Sequence, residues 1–191
     1  MFAEECGYLF GIFHHYVFDK WIQIHYPHVP FERYADDTIC HCRTKSEAET
    51  MKVIIMNRLL SCGLKLNEEN TRIVYCKDSN RKETHEFISF DFLGYTFRPR
   101  RVKSKQGKVF TGFTPGISQK SKNHIHEVIH GWHLTRTNDL KEIDIQIRAS
   151  VCGWMNYYGK YNIYGIKSTL QALLYHLYRG IIPCFYKLKN G

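Results

Sequence analysis

Phe31-Glu32-Arg33-Tyr34-Ala35-Asp36-Asp37-Thr38-Ile39-Cys40 places two adjacent carboxylates between apolar, strand-forming residues. The pattern predicts a tight hairpin with Asp36 and Asp37 at its bend. Mg²⁺ prefers hard oxygen ligands and is commonly held by one or two carboxylates together with substrate phosphates. In phosphoryl and nucleotidyl transfer such ions stabilise the attacking and leaving oxygens together. An isolated Asp-Asp pair is most often a solvated turn, because aspartate is a common turn former. The flanks and the rest of the chain therefore decide its meaning.

The 191 residues can bury a substantial core, and 43% hydrophobic and 15% aromatic content argues against long disorder. The net charge of +9 is unevenly spread. Residues 1–95 hold 11 Lys/Arg against 14 Asp/Glu, whereas residues 96–191 hold 16 against 4. Such asymmetry points to a polyanionic partner for the second half, nucleic acid before membrane. Seven cysteines form no C-x-x-C pair, which fits a reduced, cytoplasmic setting better than a disulfide framework. Cys40, His41 and Cys42 alternate along a strand, so the thiols and the imidazole are expected on opposite faces. No leader peptide is recognisable, and no apolar run approaches a membrane span.

Along the chain, Leu9, Ile12, Phe13, Tyr16, Val17, Trp21 and Ile24 keep helical spacing, and the Pro27 to Pro30 segment ends that helix. Ser46-Glu47-Ala48-Glu49 reads as a capping box. It opens a helix with a stripe of Ala48, Met51, Ile55, Leu59 and Cys62, and Gly63 stops it. Thr71 to Cys76 reads as a strand rich in β-branched residues, and residues 77–86 as a loop. Phe87 to Phe97 alternates and is broken by Gly94, predicting a strand pair or a bulged strand. Arg98, Arg100, Arg101, Lys103, Lys105 and Lys108 follow on a hairpin expected to turn near Gln106-Gly107. Alternation of these charges with Val102, Val109, Phe110 and Phe113 predicts a basic ribbon facing phosphates. Three further apolar stripes, 125–132, 140–154 and 166–177, predict three helices, with breaks at Thr135–Asp139 and Gly159–Gly165. Trp154 reads as a core anchor, while Arg148, Tyr158, Lys160 and Lys167 read as RNA contacts.

Several of these stretches together resemble one family. Tyr34-Ala35-Asp36-Asp37 resembles the catalytic motif of reverse transcriptases, and the FERYADD segment, residues 31–37, is most similar to the group II intron-encoded branch. The HYVFDKW helix (residues 15–21) is similar to the helix preceding that motif. Phe92-Leu93-Gly94-Tyr95-x-Phe97 resembles the palm–thumb junction that holds primer. Gly-Trp-x-Asn-Tyr-Tyr, residues 153–158, resembles the maturase, or thumb, region. The sequence departs from the pattern at residues 5–10, which lack the expected Gly-rich segment, and at Asn70, where a lysine is usual before the threonine.

The resemblance implies an α+β fold: a partial reverse-transcriptase palm of antiparallel sheet with packed helices over residues 1–115, then a three-helix thumb/maturase bundle over 116–191. It implies RNA-directed DNA synthesis from dNTPs with Mg²⁺ held by Asp36 and Asp37. It also implies binding of intron RNA and RNA/DNA template–primer to assist splicing, with contacts at Tyr34, Gly94, Tyr95 and the basic residues above. Family polymerases need a third carboxylate from an earlier strand, and residues 1–30 offer only Glu4, Glu5 and Asp19. A chain truncated at its N-terminus and inactive alone as a polymerase is therefore expected. The alternative is a non-catalytic RNA-binding maturase fragment.

Overall fold

A computed structural model describes residues 11–81, 83–132 and 140–189; of 140–146, 172–174 and 176–189 it describes the backbone path. Two compact units are present, Met1–Val74 and Tyr75–Gly191. Residues 115 and 116 lie within a strand of the second unit. Leu9, the 5–10 segment, the break at Thr135–Asp139 and the side chains of Leu140, Ile143, Leu173, Leu174 and Leu177 lie outside the described residues.

The first unit opens with helix α1, residues 11–25, in which His15–Lys20 is π-helical. The wider turn shifts the phase of the buried face. Val17, Phe18 and Ile22 are buried, whereas Ile12, Phe13, Tyr16 and Ile24 of the expected stripe are exposed. Strands β1 (Phe31–Tyr34) and β2 (Asp37–Cys40) pair antiparallel from Phe31 opposite Cys40 to Tyr34 opposite Asp37. Helix α2 (Lys45–Ser61) follows. Its N-cap is Thr44, two residues ahead of the predicted serine. The Thr44 side chain accepts from the Glu47 amide at 3.1 Å, and the Glu47 carboxylate accepts from the Arg43 amide at 2.6 Å. Two Ser/Thr-x-x-Glu frames overlap here, and the earlier one leaves Ser46 free to join the first turn. At the other end Gly63 takes φ +74, and the Gly63 and Leu64 amides donate back to the Leu60 and Leu59 carbonyls. That pair of bonds is a Schellman stop. Phe18, Ile22, Val29 and Met51 form the core, flanked by Trp21, Phe31, Cys40, Cys42, Ile54 and Ile55.

Thr71 to Cys76 is not a strand. High β-propensity needs a ladder partner to be realised. A bond of this kind runs from the Tyr75 amide to the Phe87 carbonyl at 2.8 Å, and the division between the units falls inside the segment.

The second unit holds a three-stranded antiparallel sheet, β3 (Phe90–Phe92), β4 (Tyr95–Lys103) and β5 (Val109–Ile117), in that spatial order. Helices α3 (Gln119–Gly131) and α4 (Leu140–Lys189) complete it. The expected break at Gly159–Gly165 is confined to Asn162, whose φ −147 and ψ 71 interrupt the helical path. The second and third predicted helices therefore form one bent segment. Gly165 donates to the Asn162 side-chain oxygen at 2.8 Å, which restarts the helix past the bend as an N-cap does. Core residues come from both sides of it: Ile166 is fully buried beside Ile117, Ile125, Ile129 and Trp132, with Ile147, Val151 and Trp154 packed against them. Trp132 and Trp154 stack at 5.8 Å, as expected of a core anchor.

The β3–β4 connection is a two-residue turn, Leu93-Gly94, with φ +50 and +76. Paired positive φ values match the right-handed twist of a hairpin. The turn is tied down from the helices. Ser118 donates its amide and Ser121 its hydroxyl to the Gly94 carbonyl, at 2.9 and 3.0 Å. Tyr157 donates its hydroxyl to the Leu93 carbonyl at 2.8 Å. A Cβ at Gly94 would lie 2.9 Å from both the Ser121 and the Tyr158 side-chain oxygens. Urea unfolding should therefore separate the two turn positions. Leu93→Asn, which suits the left-handed region, should raise stability by about 0.5–1 kcal/mol, and Gly94→Ala should lower it by about 1–3 kcal/mol.

Candidate metal and nucleic-acid sites

In the β1–β2 hairpin Tyr34 opposes Asp37, so Ala35 and Asp36 are the two turn residues and Asp37 is the first of β2. Ala35 adopts φ +52, a conformation costing a residue with a Cβ about 1–2 kcal/mol. Both aspartates are exposed. Neither carboxylate has a hydrogen-bond or ion-pair partner among the described residues. Their donor chemistry fits a hard divalent cation. Among the described residues no group of three or more His, Cys, Asp or Glu could hold a metal. Asp36 and Asp37 are thus two of the oxygen donors such an ion needs, and water or phosphate oxygens are the natural complement. Tyr34, 63% exposed, stands beside them at the end of β1.

The turn is braced from α1. Arg33 donates from Nε to Asp19 Oδ1 at 2.6 Å and from Nη2 to Asp19 Oδ2 at 2.7 Å. Its third nitrogen, Nη1, donates to the Ala35 carbonyl at 2.7 Å. His15 Nδ1 lies 3.1 Å from Asp19 Oδ2. The side chains of Arg33 and Asp19 are 15% and 13% exposed, so this fork is partly shielded from water. Burial pushes the Asp19 carboxyl up, but the Arg33 and His15 hydrogen bonds and charges outweigh it and hold the carboxyl below its ordinary value. The hydrogen bonds to Asp19 likewise raise Arg33. The π-helical stretch is itself buttressed by Arg58 of α2, whose Nε donates to the Val17 carbonyl at 3.0 Å. Sequence reading passed over Arg33. Its signal was available, since Arg33 shares the inward strand parity of Phe31, where an apolar residue is the norm.

Cys40 and His41 face opposite ways, as the alternation predicts. Cys40 and Cys42 pack against the core, and the exposed His41 meets Glu32. Burial, with Cys42 and Glu32 nearby, pushes the Cys40 thiol up to about 12, which disfavours a thiolate ligand.

In the second unit the basic residues fall on both faces of β4. Arg98 and Arg100 share one face and Arg101 and Lys103 the other. None of Arg98, Arg100, Arg101, Lys103, Lys105 and Lys108 has an ion pair with a described residue. The turn falls where the sequence places it, with Gly107 at φ +88 and Lys105 and Lys108 beside it. Arg100 is half-buried over a glycine floor. Gly112 lies opposite it in the register, and a Cβ at Gly116 would overlap its guanidinium. Burial and then the Arg98 charge lower its proton affinity. Arg100 donates from Nε to the Thr114 carbonyl at 3.4 Å and from Nη2 to the Thr96 carbonyl at 3.3 Å. A half-buried guanidinium beside the exposed Arg98, with no carboxylate partner among the described residues, keeps positive charge to offer an anion.

Gly94 and Tyr95 lie at the docked turn. Tyr95 is buried, donates to the Tyr157 carbonyl, and is pushed up to about 12 by burial and by Tyr157, Tyr158 and Tyr161. Tyr158 is half-buried against the core. The more open rings are Tyr161, 60% exposed with Lys160 5.5 Å from its centre, and Tyr164, 84% exposed. They flank the bend at Asn162, so no single helical spacing in the sequence marks them. Arg148 and Lys167 are exposed on α4. The described residues contain no helix long and apolar enough to cross a membrane.

Residues 6–97 match the family model described as reverse transcriptase (RNA-dependent DNA polymerase). The matched segment, a little under half of the chain, takes in the whole β1–β2 hairpin and the Leu93-Gly94 turn. It supports a place in the reverse transcriptase family. No curated protein and no solved structure matches the chain.

The Asp19 network makes an acid-side prediction. The Asp19 carboxyl lies below 3.8 when folded. Its contribution is fully present above the unfolded value and is lost as pH falls through the lowered one. Melting temperature recorded from about pH 5 down to about pH 2 should fall less steeply for Asp19→Asn than for the natural chain. Parallel acid limbs would show that the fork contributes nothing.

Proposed function

We propose that this chain works in RNA-templated nucleotidyl transfer as part of a group II intron-encoded reverse transcriptase and maturase. The observation that carries the reading is the exposed Asp36-Asp37 pair, its carboxylates without a partner among the described residues, at a two-residue hairpin turn inside the segment that matches the reverse transcriptase model. In the reaction proposed, a primer 3′-hydroxyl attacks the α-phosphate of a dNTP and pyrophosphate leaves. Bound Mg²⁺ would neutralise charge on the attacking and leaving oxygens. Asp36 and Asp37 would hold it, and the braced turn would keep them in place. Arg98 and Arg100, with Arg101, Lys103, Lys105 and Lys108, would neutralise the sugar–phosphate backbone of a template–primer or intron RNA. Tyr161 and Tyr164 would offer stacking surfaces to unpaired bases. Splicing assistance, intron RNA as ligand and a cytoplasmic location belong to this proposal as the group II resemblance implies them.

A second reading, an RNA-binding maturase fragment without polymerase activity, is favoured by Asn70. Its amide cannot deliver a proton to the leaving pyrophosphate as an ammonium can. The isolated chain is expected to bind RNA and to lack polymerase activity of its own.

Fluorescence anisotropy with an RNA/DNA primer–template, recorded across a salt series, tests the binding half. Arg98→Gln/Arg100→Gln should weaken binding and reduce the slope of log K against log salt by about 1–2, because each phosphate left without its arginine keeps its counterion. Asp36→Ala without Mg²⁺ should leave binding unchanged. Salt-independent binding, or a slope that the arginine changes do not move, would contradict the proposal.

A further inference from the structure

Arg33 reaches two places at once. Two of its nitrogens close a fork on Asp19 of α1, and the third holds the Ala35 carbonyl at the tip of the turn that carries Asp36 and Asp37. From this geometry we infer that Asp19 and Arg33 form a charge-balanced positioning pair for the carboxylate turn: Arg33 clamps the turn, and Asp19 cancels the positive charge this brings to a prospective cation site. The inference rests on the reading that Asp36 and Asp37 hold a divalent ion.

The clamp has a physical need. Ala35 sits at φ +52, in a region that residues with a Cβ avoid, and such a conformation persists only where its surroundings hold it. The hairpin is two short strands, which hold poorly by themselves in water. A guanidinium bond to the Ala35 carbonyl fixes the peptide between Ala35 and Asp36 directly. Lysine could not do the same, because a single ammonium lacks the planar fork needed to hold a carboxylate with two nitrogens and a carbonyl with a third.

The charge balance has a need of its own. An unneutralised guanidinium three residues from Asp36 and four from Asp37 on the chain would compete with a cation for those carboxylates. Asp19 prevents this by holding two of the three nitrogens, and it is itself set in place by His15 and by the π-helical stretch. A purely structural ion pair would need only the fork. The third bond, to the turn, is what gives the pair a bearing on the site.

The test uses the full chain, ¹⁵N-labelled, with two readouts: hydrogen exchange of the Ala35, Asp36 and Asp37 amides, and Mg²⁺ affinity from the shifts of the same amides. Arg33→Lys should speed exchange at the turn and change affinity little, because the charge pair is kept while the fork is lost. Asp19→Asn should weaken Mg²⁺ binding by about two- to fivefold, the scale of a partly exposed charge pair. Asp19→Asn/Arg33→Gln should restore affinity while exchange at the turn stays fast. Rescue of this kind distinguishes charge balance from support of the fold. Unchanged exchange in Arg33→Lys would overturn the clamp. Unchanged affinity in Asp19→Asn, or no recovery in the double variant, would overturn the charge role. Absence of any Mg²⁺-dependent shift in the natural turn would overturn the charge role together with the metal reading, and the exchange arm would still decide the clamp.

Discussion

Peptide carbonyls at the tips of two tight hairpins are captured by side chains and amides that hold each tip in place, and both candidate sites depend on that capture. At the first tip Arg33 takes the Ala35 carbonyl while forked to Asp19. At the second, Tyr157 takes the Leu93 carbonyl, and Ser118 and Ser121 take that of Gly94. Two-residue turns with positive φ are stiff only when the flanking ladder and such tertiary bonds agree. Local strain at Ala35 and Leu93 is thus matched to specific partners in each case, which is what preorganisation of a site requires.

The two units divide the chemistry. The first presents carboxylates whose neighbouring guanidinium, Arg33, is already committed to Asp19, leaving the pair open to a metal. The second presents guanidinium and ammonium groups without carboxylate partners among the described residues, over a sheet surface kept low by Gly112 and Gly116. Burial lowers the proton affinity of both arginines that matter most, and only Arg33 has an acid that outweighs it among the described residues. Hydrogen bonds to Asp19 raise the proton affinity of Arg33, whereas burial lowers that of Arg100, which has no acid beside it among the described residues. Arg33 is neutralised by Asp19, whereas Arg100, held by the Thr96 and Thr114 carbonyls, keeps its charge to offer a ligand.

Much of the local structure was legible because it rests on short-range chemistry. Tight turns at Asp36, Gly94 and Gly107, the Gly63 stop and the Met51–Ile55 stripe follow from residue type and spacing alone. The misplaced features involve competition or a partner far along the chain. Two overlapping capping frames competed at Thr44 and Ser46. A π-helical turn, invisible in the spacing, rotated the buried face of α1 away from Ile12 and Tyr16. Thr71–Cys76 had the composition of a strand without the neighbour that would make it one. Tyr158 carried a motif resemblance to an RNA-contacting region, yet its hydroxyl lies against the docked turn, whereas Tyr161 and Tyr164 are exposed. The Asp19–Arg33 fork spans fourteen residues, a separation for which a sequence has no periodic signal.

The central claim is that the Asp36-Asp37 turn is a divalent-cation site, and Mn²⁺-induced line broadening in the ¹⁵N-labelled chain tests it most directly. At low Mn²⁺ the amides of Ala35, Asp36, Asp37 and Thr38 should broaden first, and Asp36→Asn/Asp37→Asn should abolish this while the rest of the spectrum is unchanged. Broadening that begins elsewhere, at the exposed histidines for example, or that survives the double substitution, would contradict it.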